Sequence, residues 1–488
     1  MKLEEIINNQ KVINLNQLKN DQELLKQIQT KLNLLGLYPG GLLIDGDYGQ
    51  RTEAGLVEFC NFLNINNMNT GQFDGIFAQK LLNFPVLPFT LENAKNRGQV
   101  LSHFLAEGKA FKKNDKVAFL DRGINNSPYE AEIGQYAERL QVKPDGQNLV
   151  SLGNKTVLSN TGTTITFKSY PKIGIYPDSE IDEQSLNFLN DDITQACICI
   201  GSFVDEEIKV HWLGKHAQEK TQFWSATKII PILNTVSLAN QKFSHIEIEK
   251  TMIATHPFYD LVTDVISYQE KIGTSNAVAA MFKQFQTPKD LETWVKNITG
   301  NQDLIFRGKY HDPPLIEEPK LLKQITEEIL LTGTSVDHNG ENHVSAYDLT
   351  RFISLLGWHH HISQEARLPG AQWHSLKTVV KAMGTDKARY ADAAIKRLGL
   401  QSVIKSPVII SKLGNGDSNT RNKTEIVYVA FMQFIDELQK SSNKPSKLRT
   451  LCMTLRGAKA IGKTVELDAL MAAEVTEILR RVVTEELV

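Results

Sequence analysis

The sequence predicts a multidomain protein: a small all-α module of three helices, followed by an α+β domain whose antiparallel sheet is flanked by helices. Three observations lead there. The chain has 488 residues, more than one hydrophobic core usually organises. Near the N-terminus, Leu24, Leu25, Ile28, Leu32 and Leu35 recur at helical spacing. Farther on, strand-like runs stand on either side of a long helical middle, so the terminal strands are expected to pair in one sheet.

The first helix is expected over 23–37, followed by a turn at 36–41. Ile44-Asp45-Gly46-Asp47-Tyr48-Gly49 is a second tight turn, and Thr52 opens a helix carrying Leu56, Phe59 and Phe62. Asp74-Gly75 repeats the Asp-Gly turn before a third short helix. Such turns use the glycine for positive φ and the aspartate for a bond to nearby backbone. Leu91 to Ala110 reads as helix, and 146–164 as turns joining short strands, with 164–167 alternating as a strand does. Ala196 to Val204 is an apolar strand with a hairpin partner at 207–212. A long helix starts at Ser225. Ser406 to Leu413 and Thr424 to Phe431 are two more strands, separated by the Gly/Asn-rich turn 414–422. After 441 the chain is charged and reads as helix, with Leu467, Met471, Val475, Ile478 and Val482 as an apolar stripe. The expected boundaries are 1–88 for the helical module, 89–188 for a connector of unknown role, 189–440 for the α+β domain and 441–488 for a C-terminal helical extension.

Composition excludes several classes. With 54 basic and 56 acidic residues the formal net charge is −2, so no general attraction to nucleic acid or anionic lipid is expected. No apolar stretch is long enough for a membrane span. Four cysteines make no disulfide framework. The N-terminus lacks the basic-then-apolar order of a signal peptide, so the cytoplasm is the default location, with the cell envelope as the alternative. Cys197, Cys199, His211 and His216 have a metal-like composition. They fall on or beside hairpin strands, however, and neither a metal nor a cofactor is expected. His359-His360-His361 reads as the end of a helix, where histidine suits the dipole.

Leu34-Leu35-Gly36-Leu37-Tyr38-Pro39-Gly40 and Ile44 to Ala54 occur in an order that resembles peptidoglycan-binding domains of the small three-helix type, over roughly residues 20–84. The resemblance implies a module that holds a glycan-peptide polymer without catalysis, with Tyr48 and Arg51 near the ligand. The residues alone equally allow Tyr48 to close a small core and Arg51 to cap a surface.

The chemistry-bearing residues lie farther on. A serine hydroxyl needs a base beside it to act as a nucleophile. Ser225 and Lys228 are three apart, one turn along the same helix face. A lysine flanked by Phe223, Trp224, Ile229 and Ile230 is placed for desolvation, which lowers its pKa. At the helix start, the Ser225 N–H is free for a developing oxyanion. Thr274-Ser275-Asn276 and Lys412-Leu413-Gly414 follow in order, and the three words resemble the signature motifs of serine β-lactamases and penicillin-binding proteins over about 190–435.

The resemblance implies roles. Ser225 is acylated, Lys228 accepts its proton, and Asn276 holds the substrate amide and orients Lys228. Thr274 relays a proton to the leaving group, a role that passes to Ser275 if the register slips by one. Lys412 supplies positive charge, Gly414 lets substrate backbone approach, and the Asn415 N–H is the second oxyanion donor. Glu318, in Glu318-Pro319, has either the role of deacylating base or that of an acidic helix start. Leu413 stands where the family carries a hydroxyl that grips a carboxylate. The expected function is an acyl-serine hydrolase of amides or esters, with peptidoglycan peptides or β-lactams as implied substrates. A non-catalytic peptidoglycan-binding scaffold and a cytoplasmic amidase or esterase are the alternatives. The oligomeric state is left open.

Overall fold

The computed structural model describes residues 1–38, 44–111, 116–142, 150–177, 180–204, 207–438 and 445–488. Backbone contacts divide it into two compact units. One gathers Met1–Asp121, Tyr390–Ser402 and Val465–Arg481; the other gathers Arg122–Arg389, Val403–Thr464 and Val482–Val488.

In the first unit, helices at Gln22–Leu34, Gln50–Phe62 and Gly75–Asn83 lie where apolar spacing and the Asp-Gly turns suggest. Asp21 and Asp74 start two of them by accepting the N–H of Leu24 and Phe77. The 45–47 turn is organised by Gln29, a fully buried amide. Its Nε2 reaches Asp45 Oδ1 at 2.8 Å, the Asp47 carbonyl at 2.9 Å and Thr52 Oγ1 at 3.1 Å, and its Oε1 accepts the Gly46 N–H at 2.9 Å. Pro39, Gly40 and the end of the preceding turn lie outside the described residues. The unit holds more than three helices, since Leu3–Asn8, Val86–Asn93 and Arg97–Phe111 belong to it too. The single helix expected over 91–110 is therefore two. Asn96 accounts for the break, because its side chain accepts the Gln99 N–H at 3.2 Å and begins the second helix.

The second unit is built on an eight-stranded sheet. β1 (Ile193–Val204) and β2 (Glu207–Lys215) form the expected hairpin. A short 3-10 turn at Trp224–Lys228 runs into α1 (Ile229–Lys242), and α2 (Phe258–Ser267), α3 (Ser275–Lys283) and α4 (Ala346–Gly357) follow. The chain then returns to the sheet as β3 (Ile404–Ser418), β4 (Lys423–Asp436) and β5 (Ser446–Ala460). The strand order is β3-β4-β5-β1-β2, all antiparallel, with Cys452 of β5 facing Cys199 of β1. The two expected terminal strands, β3 and β4, thus share a sheet with the first strand, but they reach it through β5 rather than by pairing with it directly. α4 is buried along its whole length and is pinned to the sheet by Thr350 Oγ1, which donates to Thr454 Oγ1 at 2.8 Å. A separate three-stranded sheet joins Thr221–Gln222, Asn342–Val344 and Ile305–Phe306.

Several expectations change. Residues 446–460 form a strand rather than part of a helical extension. Leu451, Cys452, Met453 and Leu455 are fully buried, so the strand is covered on both faces. The charges of this stretch are all paired: Lys447 with Glu485, Arg449 with Asp436, Arg456 with Glu425 and Lys459 with Asp192. The helix comes later, at Thr464–Val483, and buries the predicted stripe. The expected boundary at 440/441 falls outside the described residues. Residues 89–188 form no unit of their own. Residues 89–121 fall in the first unit, and the described part of 122–188 falls in the second, where Val150–Ser151 pairs with β5 and Lys168–Ser169 and Ile181–Asp182 pair with β2. Residues 146–149 of the expected turn-rich stretch are outside the described set. The Gly/Asn-rich 414–422 is mostly strand, because β3 continues to Ser418. His359 to His361 lie in turns after α4. Burial, with Arg367 nearby, holds His359 down to about 3, so its ring is neutral and the helix-dipole argument does not apply to it.

Candidate active site

Ser225 sits half-buried in the 3-10 turn that precedes α1 and lines a cleft of about 520 Å³. The residue before it, Trp224, has φ 49°, a left-handed conformation that costs a non-glycine residue about 1–2 kcal/mol. Three contacts hold it there. Trp224 Nε1 donates to Glu425 Oε2 at 2.7 Å, Thr227 Oγ1 donates to the Trp224 carbonyl at 2.9 Å, and the indole lies against Gly416, where a Cβ would come within 2.5 Å of the ring. Glu425 is fully buried between Arg421 and Arg456. Gly414 performs a related service. A Cβ there would stand 2.7 Å from the Ala226 nitrogen and the Phe223 carbonyl and 3.1 Å from the Ser225 nitrogen. Gly414 therefore lets the turn that carries Ser225, rather than a substrate backbone, approach the strand, and it does not line the cleft.

Lys228 lies one turn on and is 1% exposed. Burial pushes its ammonium down to about 7, against the opposing pull of Asp312 and Glu270. Its Nζ donates to Ser275 Oγ at 3.0 Å, and Ser275 in turn donates to the Val265 carbonyl at 3.0 Å. Ser275, rather than Thr274, is thus the hydroxyl that meets Lys228. Thr274 is exposed. It caps α3 by accepting the Ala277 N–H at 3.1 Å and donates to Asp312 Oδ2. The physical reason is the helix start: the capping residue points back along its own backbone, and the next residue faces the core.

Lys412 is fully buried, and its Nζ has no hydrogen bond among the described residues. It lies 3.9 Å from the centre of the Tyr268 ring, with Lys387 at 4.6 Å and Lys228 at 5.8 Å from the same ring. Burial drives Lys412 well below the ordinary lysine range. Asp386 opposes that shift, and Lys228 and Lys387 reinforce it. Tyr268 itself donates from its hydroxyl to the Leu413 carbonyl at 2.9 Å. β3 is an edge strand, and N–H and C=O directions alternate along it. Asn415, two residues beyond Leu413, therefore presents its N–H on the same free edge.

The cleft brings together Ser225, Asn276 and Asn415 from the predicted set. Gln222, Trp224, Thr227, Lys309, Tyr310, His311 and Asn342 complete its lining; sequence reasoning missed all but Trp224, which it took only as an apolar flank of Lys228. Asn342 and Gln222 come from the small three-stranded sheet, whose strands are only two or three residues long and carry no periodic signal. Tyr268 was missed as well. Leu413 is fully buried and faces away from the cleft. Glu318 is exposed at φ 51° and does not line the cleft either. It precedes a strand, Lys320–Lys323, so both readings offered for it fail. In the first unit, Tyr48 packs against the core with Lys19 over its ring, and Arg51 Nη2 donates to the Ala110 carbonyl at 3.3 Å, which gives each a structural contact. His211 Nδ1 meets the Val488 carbonyl and His216 pairs with Glu219, while Cys197 and Cys199 are buried free thiols in the core. No helix among the described residues is long and apolar enough to cross a membrane.

No protein-family model matches this chain, and no curated protein matches it. Among solved structures it is similar to a β-lactamase from Sphaerobacter thermophilus, with 13% identity over 60% of this chain and 92% of that one and a TM-score of 0.34. It is also similar to a β-lactamase from Xanthomonas campestris, with 12% identity over 59% of this chain and 91% of that one and a TM-score of 0.33. Likenesses this distant leave the reading of the site to its own geometry.

Proposed function

We propose that this chain is a serine hydrolase that cleaves an amide or ester through an acyl-enzyme on Ser225. One observation carries the reading: a buried lysine, held near neutral pH by desolvation, stands one helical turn from a serine on a cleft wall. Ser225 Oγ gives its proton to the Lys228 amine and attacks the carbonyl carbon. The carbonyl oxygen takes up the electron pair and is met by the N–H groups of Ser225 and Asn415. The intermediate collapses and the leaving group departs with the proton from Lys228. Water then releases the acyl group. Lys412 lies buried behind the site, where desolvation favours its neutral amine. Free sites often hold such contacts loosely, and here Lys228 bonds Ser275 before substrate arrives. The likeness of residues 20–84 to peptidoglycan-binding modules supports cell-wall peptides, with β-lactams as mimics, as the substrates.

Incubation with a fluorescent penicillin and with a fluorophosphonate, read by intact-protein mass, tests this. An adduct in the wild type that vanishes in Ser225→Ala is the expected result; no adduct with either reagent rejects the reading. A second reading, a non-catalytic cell-wall-binding scaffold, is favoured by the hydroxyls of Thr274 and Ser275, which both donate to protein acceptors. Binding to purified sacculi without any adduct supports that alternative.

A further inference from the structure

α3 carries Asn276 at its start and Lys283 at its end, seven residues apart and so on one face. Lys283 has no place in the reaction proposed above. It is 1% exposed, and among the described residues no carboxylate pairs with it. Its Nζ donates to the Gly308 carbonyl at 2.5 Å and to Asn342 Oδ1 at 2.9 Å, and it lies 4.1 Å from the Phe306 ring centre and 4.9 Å from that of Tyr310. A buried lysine without a counter-ion is costly, so its retention asks for a reason.

The reason lies in what it does to Asn342. Lys283 Nζ donates to the Asn342 oxygen, and the backbone carbonyls on the other side accept from the Asn342 nitrogen, so the contacts agree on which way the amide points. The amide nitrogen is thereby turned the other way. It donates to the Gly308 carbonyl at 3.1 Å and, weakly at 3.5 Å, to the Lys309 carbonyl; an anion in the cleft that Asn342 lines would replace that long second bond with a stronger, charge-assisted one. Lys309 lines the same cleft. It is exposed and has no ion pair among the described residues. No lining residue is acidic. The acidic neighbours in sequence, Asp312 and Glu341, do not line it; Asp312 accepts from Thr274, and Glu341 lies beside His343. This part of the cleft therefore offers a free cation and an oriented amide donor, with no carboxylate to neutralise them. At the third motif, where the resembling family grips a carboxylate, this chain has a buried leucine.

We infer that Lys309 and Asn342 form a subsite for an anionic group, a carboxylate or a phosphate, on the substrate, and that Lys283 is the positioning residue that holds Asn342 as a donor. The inference rests on the serine hydrolase reading for the substrate's acyl bond, but not for the binding of the anion. It places recognition of negative charge on the loop after Ile305–Phe306 and on the small sheet, away from the strand that carries Lys412.

The test compares three p-nitrophenyl esters that differ only at the far end of the acyl chain: a free carboxylate, its methyl-capped neutral form and a phosphonate. Wild type is expected to prefer an anionic ester over the neutral one by at least about tenfold in kcat/KM, mostly through KM. The carboxylate-to-phosphonate ratio tells which anion the subsite takes. In Lys309→Glu the preference collapses towards one. In Lys283→Met it weakens, and in Asn342→Asp it reverses, with folding checked by circular dichroism. Equal use of charged and neutral esters by wild type, or a preference that Lys309→Glu leaves intact, overturns the inference. If no ester is turned over, calorimetric binding of the same compounds to Ser225→Ala decides it. Tighter binding of an anionic ester, lost with Lys309→Glu, upholds the subsite, and equal binding overturns it; the Ser225 adduct decides the hydrolase reading separately.

Discussion

The clearest prediction concerns the pH dependence of Ser225 acylation. Lys228 is pushed down to about 7 by burial, so the amine that takes the serine proton is half-formed near neutrality. The fraction of amine, and with it the labelling rate, falls about tenfold for each unit below that value and levels off above it. Between about pH 9 and pH 5 the rate should drop roughly a hundredfold, with its midpoint near 7. An ordinary lysine would give a rate still rising tenfold per unit through about pH 9. The assay is the rate of fluorophosphonate adduct formation, followed by intact-protein mass in buffers of constant ionic strength. Asp312→Asn sharpens it. Asp312 favours the charged lysine, so its neutralisation should move the midpoint to lower pH. A rate without a plateau, a flat profile, or a midpoint that rises in Asp312→Asn would refute the assignment of Lys228 as the base.

Other expectations follow from the same contacts. Gly414→Ala drives a methyl into the Phe223–Ala226 backbone, and should cost about 1–3 kcal/mol by urea denaturation and abolish labelling. Glu425→Gln leaves Arg421 and Arg456 without their buried carboxylate and loosens Trp224. A loss of about 3–5 kcal/mol is expected, and wild-type stability would show that the network does not hold the turn. Lys412→Met leaves the buried Asp386 without the amine that faces it, so stability should fall by urea denaturation, and wild-type stability would show that the two groups do not support each other. Lys228 and Lys283 both fall from 10.5 to about 7 on folding, so the unfolded chain binds more protons between those values and stability should rise with pH across that window. Each contributes up to about 5 kcal/mol to that rise, and chemical denaturation at about pH 7 and pH 9.5 should show a smaller rise in Lys283→Met than in wild type.

Local pattern was enough to place the helices and strands that bury one face. The helix 22–34, the β1–β2 hairpin and the start of the 225–242 segment were legible because their apolar spacing repeats within the element itself. The order of Ser225, Lys228, Asn276 and Lys412 was legible for the same reason, since short words survive without context. Residues 446–460 were misread because their charges are paired with partners up to 267 residues away, and no local window contains those partners.

The sequence by itself determined which residue types the proposed acyl chemistry would draw on and in what order the chain presents them. Only the tertiary structure decided which of them meet. It chose Ser275 over Thr274, because a helix cap turns one hydroxyl outwards and the next inwards. It set Gly414 against the turn that carries Ser225, and it brought Lys309 and Asn342 to the cleft, Tyr268 to Lys412 and Lys283 to Asn342. Their roles depend on burial and on distances across the fold, which are properties of packing rather than of neighbours in the chain.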